Sequence, residues 1–234
     1  MSGVFITGTD TGVGKTLICG HLAGYLRRQG VRVITQKWVQ TGCEEIPEDL
    51  QLHRQLSGIA GDAAPPDLVN PYRFALAASP HLAAAYEGVT IDPEVIARAC
   101  RQLEKSWELV LVEGTGGFMV PLTKDVLSAD VVVQVGLSVL LVVRNGLGCI
   151  NHALLTVEAL RRRQIPLLGL IFSRVEEGGD ERVLRDNPRV ITAMTGVPLL
   201  GELPYLPDPL SRTSAFEPIG EAFLAEWRRQ APHE

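Results

Sequence analysis

A chain of 234 residues, 46% hydrophobic and 21% charged, can bury a core without disulfides or structural metals, and it is too apolar to be disordered. Its formal charge of -5 offers no general attraction to nucleic acid or anionic lipid. No nucleic acid or membrane partner is expected. The three arginines at 161–163 sit near the end of an expected helix, where cations complement the dipole, and read as a solvated face. No apolar run reaches the roughly 18 residues of a membrane span, and the N-terminus enters a strand with no signal region, so the expected location is cytoplasmic. Cys19, Cys43, Cys100 and Cys149 show no metal-binding or redox spacing and are expected as reduced thiols.

In chain order, short apolar runs alternate with stretches of helical period. Strands are expected over 4–7, 31–37, 109–113, 139–143, 167–172 and 199–203, with helices beginning near Lys15, Glu48, Asp92, Cys149, Arg182 and Ala215. Asp92 followed by Pro93 is a helix start: a side-chain cap, then proline at the first helical position. The Pro-rich segments 65–71 and 204–209 read as loops. Each strand is too apolar for an exposed sheet, so the expected fold is α/β, one P-loop NTPase-type domain over 1–234 with a mostly parallel sheet and helices on both faces.

Directly after the first strand comes Gly8-Thr9-Asp10-Thr11-Gly12-Val13-Gly14-Lys15-Thr16, followed by an apolar helix. Glycines let successive N–H groups curl around one phosphate, the helix N-terminus adds a favourable dipole, and Lys15 reaches the outer phosphates. Thr16 can hold magnesium. The strict G-x4-GK[ST] pattern would place glycine at 9, where this chain has Thr9, so the loop is a variant. A Gly-rich turn with a chance lysine is the bland alternative, and the agreement of strand and helix context disfavours it. Lys37 closes the second strand and, if that strand lies beside the first, adds a second cation. A surface lysine is its alternative.

The strand ending at Glu113 runs into Gly114-Thr115-Gly116-Gly117. That places a carboxylate where active sites of open α/β sheets lie, positioned to share a magnesium ion with the loop hydroxyl. Asp49, in a first helical turn, is a second metal candidate. A capping or loop role remains open for both carboxylates.

Together these residues resemble the dethiobiotin synthetase family. Its G-T-D-T-x-V-G-K-T loop is matched by residues 8–16, and its K-P-V-x-[ST]-G by Lys37, Val39, Thr41 and Gly42. Asn70-Pro71-Tyr72, Ser79-Pro80-His81, Val112-Glu113-Gly114, Leu147-Gly148-Cys149-Ile150-Asn151-His152-Ala153 and Pro198-Leu199-Leu200-Gly201-Glu202 follow in family order, so the match covers residues 3–207. The resemblance implies that 7,8-diaminopelargonate, carbon dioxide and MgATP become dethiobiotin, ADP and phosphate, through a carbamate and a carbamic-phosphoric anhydride.

Carried over, Gly8, Asp10, Thr11, Gly12, Val13, Gly14, Lys15 and Thr16 bind the nucleotide, with Ser173 and Pro204 near its base. Lys37, Lys15 and Thr11 act in catalysis. Thr16, Asp49 and Glu113 hold Mg²⁺. Lys37, Thr41, Gly116 and Gly117 face the substrate. Gly148, Cys149, Ile150 and Asn151 open a helix that takes the substrate's tail carboxylate across a homodimer with a shared active site. Without the resemblance, those four residues also read as a simple helix start capped by Asn151.

Two positions depart from the family pattern: Trp38 stands where proline is usual, and Ser173 where a base-reading asparagine is expected. Ser173 implies looser base selection. Two competing readings are an ATP-switched protein of the partition and septum-placement class, which carries an early loop lysine where this chain has Asp10, and a corrin-ring amide synthase, which generally carries an added glutaminase domain.

Overall fold

The computed structural model describes residues 3–44, 47–205, 207–208 and 213–230. Six strands form one sheet: β1 (Gly3–Gly8), β2 (Val33–Lys37), β5 (Leu109–Gly117), β6 (Ser138–Arg144), β7 (Leu167–Ser173) and β8 (Leu199–Leu203). Their order is β2-β5-β1-β6-β7-β8, and every pairing is parallel. Parallel strands need crossovers, and helices supply them: α1 (Lys15–Arg28), α2 (Glu48–Ser57), α5 (Pro93–Glu104), α7 (Cys149–Arg162) and α8 (Glu181–Thr195), while α9 (Thr213–Gln230) follows the last strand.

Continuous apolar runs have the burial that a doubly covered sheet requires. In β6, Leu140 and Val142 join the large core cluster while Leu141 and Val143 join a second one against α7 and α8. In β7, Ile171 divides in the same way from Leu170 and Phe172. Side chains that alternate between two buried layers leave no polar face.

All six expected helix starts fall within two residues of the observed ones, and Asp92 caps α5 by accepting from the Glu94 N–H at 2.8 Å. The 65–71 segment corrects one expectation, because it contains the short helix α3 (Pro66–Val69), with Pro66 in its first turn. The 204–209 segment lies partly outside the described residues. Four more elements carried no strong sequence signal: β3 (Val39–Thr41) and β4 (Tyr72–Phe74), which pair as a small parallel sheet, α4 (Pro80–Tyr86) and α6 (Ser128–Val135). In α6 the run Val131-Val132-Val133 has poor helix propensity, and burial of Val131 and Val132 outweighs it.

The sheet order also corrects the placement of Lys37. Its strand does not neighbour β1, because β5 lies between them, and Lys37 is in register with Glu113. No helix among the described residues is long and apolar enough to cross a membrane.

Candidate functional site

β1 ends at Gly8 and the chain turns through 9–14 into α1. Gly12 and Gly14 take φ of 69° and 98°, left-handed values that glycine adopts without strain, and Thr9 N–H donates to the Val142 carbonyl at 3.1 Å, tying the loop to β6. Lys15 Nζ donates to the Asp10 carbonyl at 2.9 Å, so the lysine folds over the loop it belongs to. Burial pulls its pKa from 10.5 down to about 8, with Lys37 adding to the effect and Glu113 and Asp49 opposing it.

Beneath the loop lies a buried charged cluster assembled from four elements. Lys37, from the end of β2, places Nζ 2.7 Å from Asp49 Oδ2 and 2.8 Å from Glu113 Oε1. Thr16, in the first turn of α1, places Oγ1 3.0 Å from Asp49 Oδ1 and 3.0 Å from Glu113 Oε1. Asp49 comes from the first turn of α2. Burial alone would favour neutral Glu113, but the adjacent Lys37 ammonium and the contact with His53 hold its pKa far below the ordinary carboxylate range. Lys37 is shifted the other way: burial disfavours its charge, and Glu113 and Asp49 more than offset that, leaving its pKa raised. Among the described residues no group of three or more His, Cys, Asp or Glu side chains forms a metal cage.

The structure thus brings Thr16, Lys37, Asp49 and Glu113 together beside Lys15. His53 was missed by sequence reasoning. It is fully buried one turn after Asp49 on α2, with Nε2 2.8 Å from Glu113 Oε2. The spacing Asp49-x-x-x-His53 on one helix face was its only signal.

A cavity of about 470 Å³ opens in front of the loop, lined by Thr9, Asp10, Thr11 and Val13 on one side and by Leu147, Cys149, His152 and Arg174 among others. Gly148, with φ 85°, starts α7 without a side-chain cap, so Asn151 does not act as the capping group. Cys149 lines the cavity, whereas Asn151 is exposed beyond it. Arg174 is held by Glu202 and Glu181 at 2.9 and 2.7 Å. Pro204 lines a smaller neighbouring cavity with Arg174, Glu176 and Glu177.

Ser173 is fully buried, its hydroxyl has no hydrogen-bond partner, and a Cβ placed on Gly14 would lie 2.7 Å from that hydroxyl. It sits beneath the phosphate loop rather than on the cavity wall. Gly116 and Gly117 extend β5, which Thr115 ties to β3 through a bond to the Val39 carbonyl, close to Thr41. Asn70 donates to the Lys37 and Tyr72 carbonyls at 2.9 and 3.0 Å, joining the end of β2 to β4. Trp38 packs in the core, its ring 4.8 Å from Phe5 and its indole N–H donating to Gln36. That placement is packing rather than a wall for a ligand.

A family model described as an AAA domain matches residues 2–212. The chain is 45% identical over 202 residues to an ATP-dependent dethiobiotin synthetase of Chlorobaculum tepidum, covering 86% of this chain and 84% of that one. It is 42% identical over 204 residues to the counterpart from Nitrosospira multiformis, covering 87% and 88%. Among solved structures, the MinC:MinD cell division complex of Aquifex aeolicus superposes with a TM-score of 0.60 at 16% identity, covering 100% of this chain and 99% of that one. pNOB8 ParA bound to nonspecific DNA gives 0.60 at 12% identity, covering 98% and 99%. At such identities these neighbours establish the fold alone.

Proposed function

The chain belongs to the ATP-dependent dethiobiotin synthetase family, and from that membership we propose how its buried cluster performs the family's ATP-dependent ring closure. One amine of 7,8-diaminopelargonate takes up carbon dioxide as a carbamate. A carbamate oxygen attacks the γ-phosphorus of ATP, forming a carbamic-phosphoric anhydride and releasing ADP. The second amine then attacks the anhydride carbonyl, closes the urea and expels phosphate. The loose phosphoryl transition state asks mainly for positioning and for cations fixed around the transferred group.

The observation that carries this reading is the convergence of Lys15, Thr16, Lys37, Asp49 and Glu113 around the carboxyl ends of β1 and β2, with Glu113 in mid-β5 level with them. The N–H groups from Gly12 to Thr16 and the Lys15 ammonium cradle the phosphates. Thr16, Asp49 and Glu113 fit magnesium, because a hydroxyl and two carboxylates are hard oxygen donors and the hydroxyl already lies within hydrogen-bonding distance of both acids. When bound, that ion offsets phosphate charge. Lys37 bridges the two acids, and to face a carbamate it leaves one of these contacts. We assign Thr11, Thr41, Gly116 and Gly117 to the substrate; Thr11 lines the cavity, and a Cβ on Gly116 would lie 3.6 Å from the Thr11 hydroxyl, which supports placing these two together. In the first turn of α7 the Cys149 N–H is taken by the Gly146 carbonyl at 3.2 Å, and the N–H groups of Ile150 and Asn151 suit the substrate's tail carboxylate.

We assign the active unit as a cytoplasmic homodimer in which α7 serves the opposite subunit. The 93% exposed Leu147 and the half-exposed Leu155, at and near the start of α7, support that assignment.

The test is product formation. Purified protein given MgATP, diaminopelargonate and labelled bicarbonate is expected to place label in a neutral cyclic urea, and label remaining only in bicarbonate defeats the reading. Lys37→Ala is expected to remain folded and lose most turnover; normal turnover would remove Lys37 from the catalytic set.

A further inference from the structure

Glu113 has two oxygens with different surroundings. Oε1 faces Lys37 at 2.8 Å and Thr16 at 3.0 Å, inside the proposed cation site. Oε2 faces His53 Nε2 at 2.8 Å, and apart from this contact neither atom has a hydrogen-bond partner. The separation suits a hydrogen bond although the angle falls outside good geometry. His53 Nδ1 is also buried without a partner, so no bond on the far side of the ring competes for its orientation. The helix carrying His53 packs closely on α1: a Cβ on Gly20 would lie 3.3 Å from His53 Cα and 2.8 Å from Leu56 Cδ1.

A carboxylate held at one oxygen can still rotate about its terminal torsion, whereas one held at both oxygens cannot. We propose that His53 is a positioning residue for Glu113: its Nε2–H holds Oε2, so that Oε1 stays turned toward Thr16 and the nucleotide's cation. The inference rests on the assignment of Glu113 to that cation. Residues that orient a metal's carboxylate ligand typically cost ten- to a hundredfold in metal affinity when removed.

The experiment titrates Mg²⁺ against binding of a fluorescent ADP analogue to wild type, His53→Leu, His53→Asn and His53→Gln, with thermal midpoints recorded alongside. Neither ring closure nor diaminopelargonate is needed, so this outcome is independent of the label test above. His53→Leu should raise the Mg²⁺ concentration for half-saturation about tenfold while metal-free ADP binding is unchanged. Glutamine can set its amide nitrogen near the position of Nε2 and asparagine cannot, so His53→Gln should recover most of the loss and His53→Asn should not.

In turnover, His53→Leu should lower kcat with little change in KM for the diamine. Wild-type Mg²⁺ dependence in His53→Leu overturns the proposal. So does a loss that is equal in the Gln and Leu variants and follows their thermal midpoints, which marks packing alone. Should His53→Leu not fold, a His53→Gln variant indistinguishable from His53→Asn overturns it as well.

Discussion

Lys15 is a buried ammonium whose charge is used only when phosphate arrives. With its pKa lowered to about 8, it begins to lose its proton in the empty protein just above neutral pH. Bound phosphate favours the charged form, so nucleotide affinity is expected to fall as pH rises through 8, and nucleotide binding measured from pH 6.5 to 9.5 checks this. Stability has the opposite sign. Between 8 and 10.5 the unfolded chain holds more protons at this residue than the folded chain, so its contribution to stability rises with pH in that window. Ser173 carries a separate prediction. A buried hydroxyl without a partner costs about 1–3 kcal/mol, so Ser173→Ala should leave the thermal midpoint unchanged or higher. Because the hydroxyl lies under Gly14 and off the cavity wall, selection among ATP, CTP and GTP should not change either; a lowered midpoint or an altered preference contradicts this placement.

At the scale of elements, the contact between α1 and α2 decides whether the acids and His53 meet the loop. Gly20 and Gly24 lie one turn apart on the α1 face that meets α2. A Cβ on Gly24 would lie 2.7 Å from the Leu56 carbonyl oxygen, a backbone atom that moves only if α2 moves. Gly24→Ala is therefore expected to cost about 1–3 kcal/mol and to weaken nucleotide binding, because α2 carries both Asp49 and His53. Chemical denaturation with an unchanged midpoint would show that α2 tolerates the shift. The short elements β3, β4, α3 and α4 were weak in the sequence for a related reason. Three to seven residues give too little period to read, and contacts such as the Asn70 bonds to the Lys37 and Tyr72 carbonyls stabilise them from a distance.

For the whole molecule, the proposed shared site makes a prediction that subunit mixing checks. Lys15→Ala disables the loop, and Asn151→Asp sets a negative charge where the substrate's tail carboxylate is proposed to bind. If α7 serves the opposite subunit, mixed dimers contain one site free of both lesions, and random mixing should return about a quarter of wild-type activity. No recovery would place each complete site within one subunit. Local pattern in the sequence determined the alternating strands and helices, the Asp92 cap and the phosphate loop, because those features depend on neighbours within one or two turns. The order β2-β5-β1 was not written locally. That order sets Lys37 against Glu113, 76 residues away, while the packing of α2 on α1 brings buried His53 to the same carboxylate, and the further order β1-β6-β7 sets Ser173 beneath the loop. Such contacts arise when crossovers fix which strands are neighbours and burial of both sheet faces fixes their register, and spacing along the chain records neither.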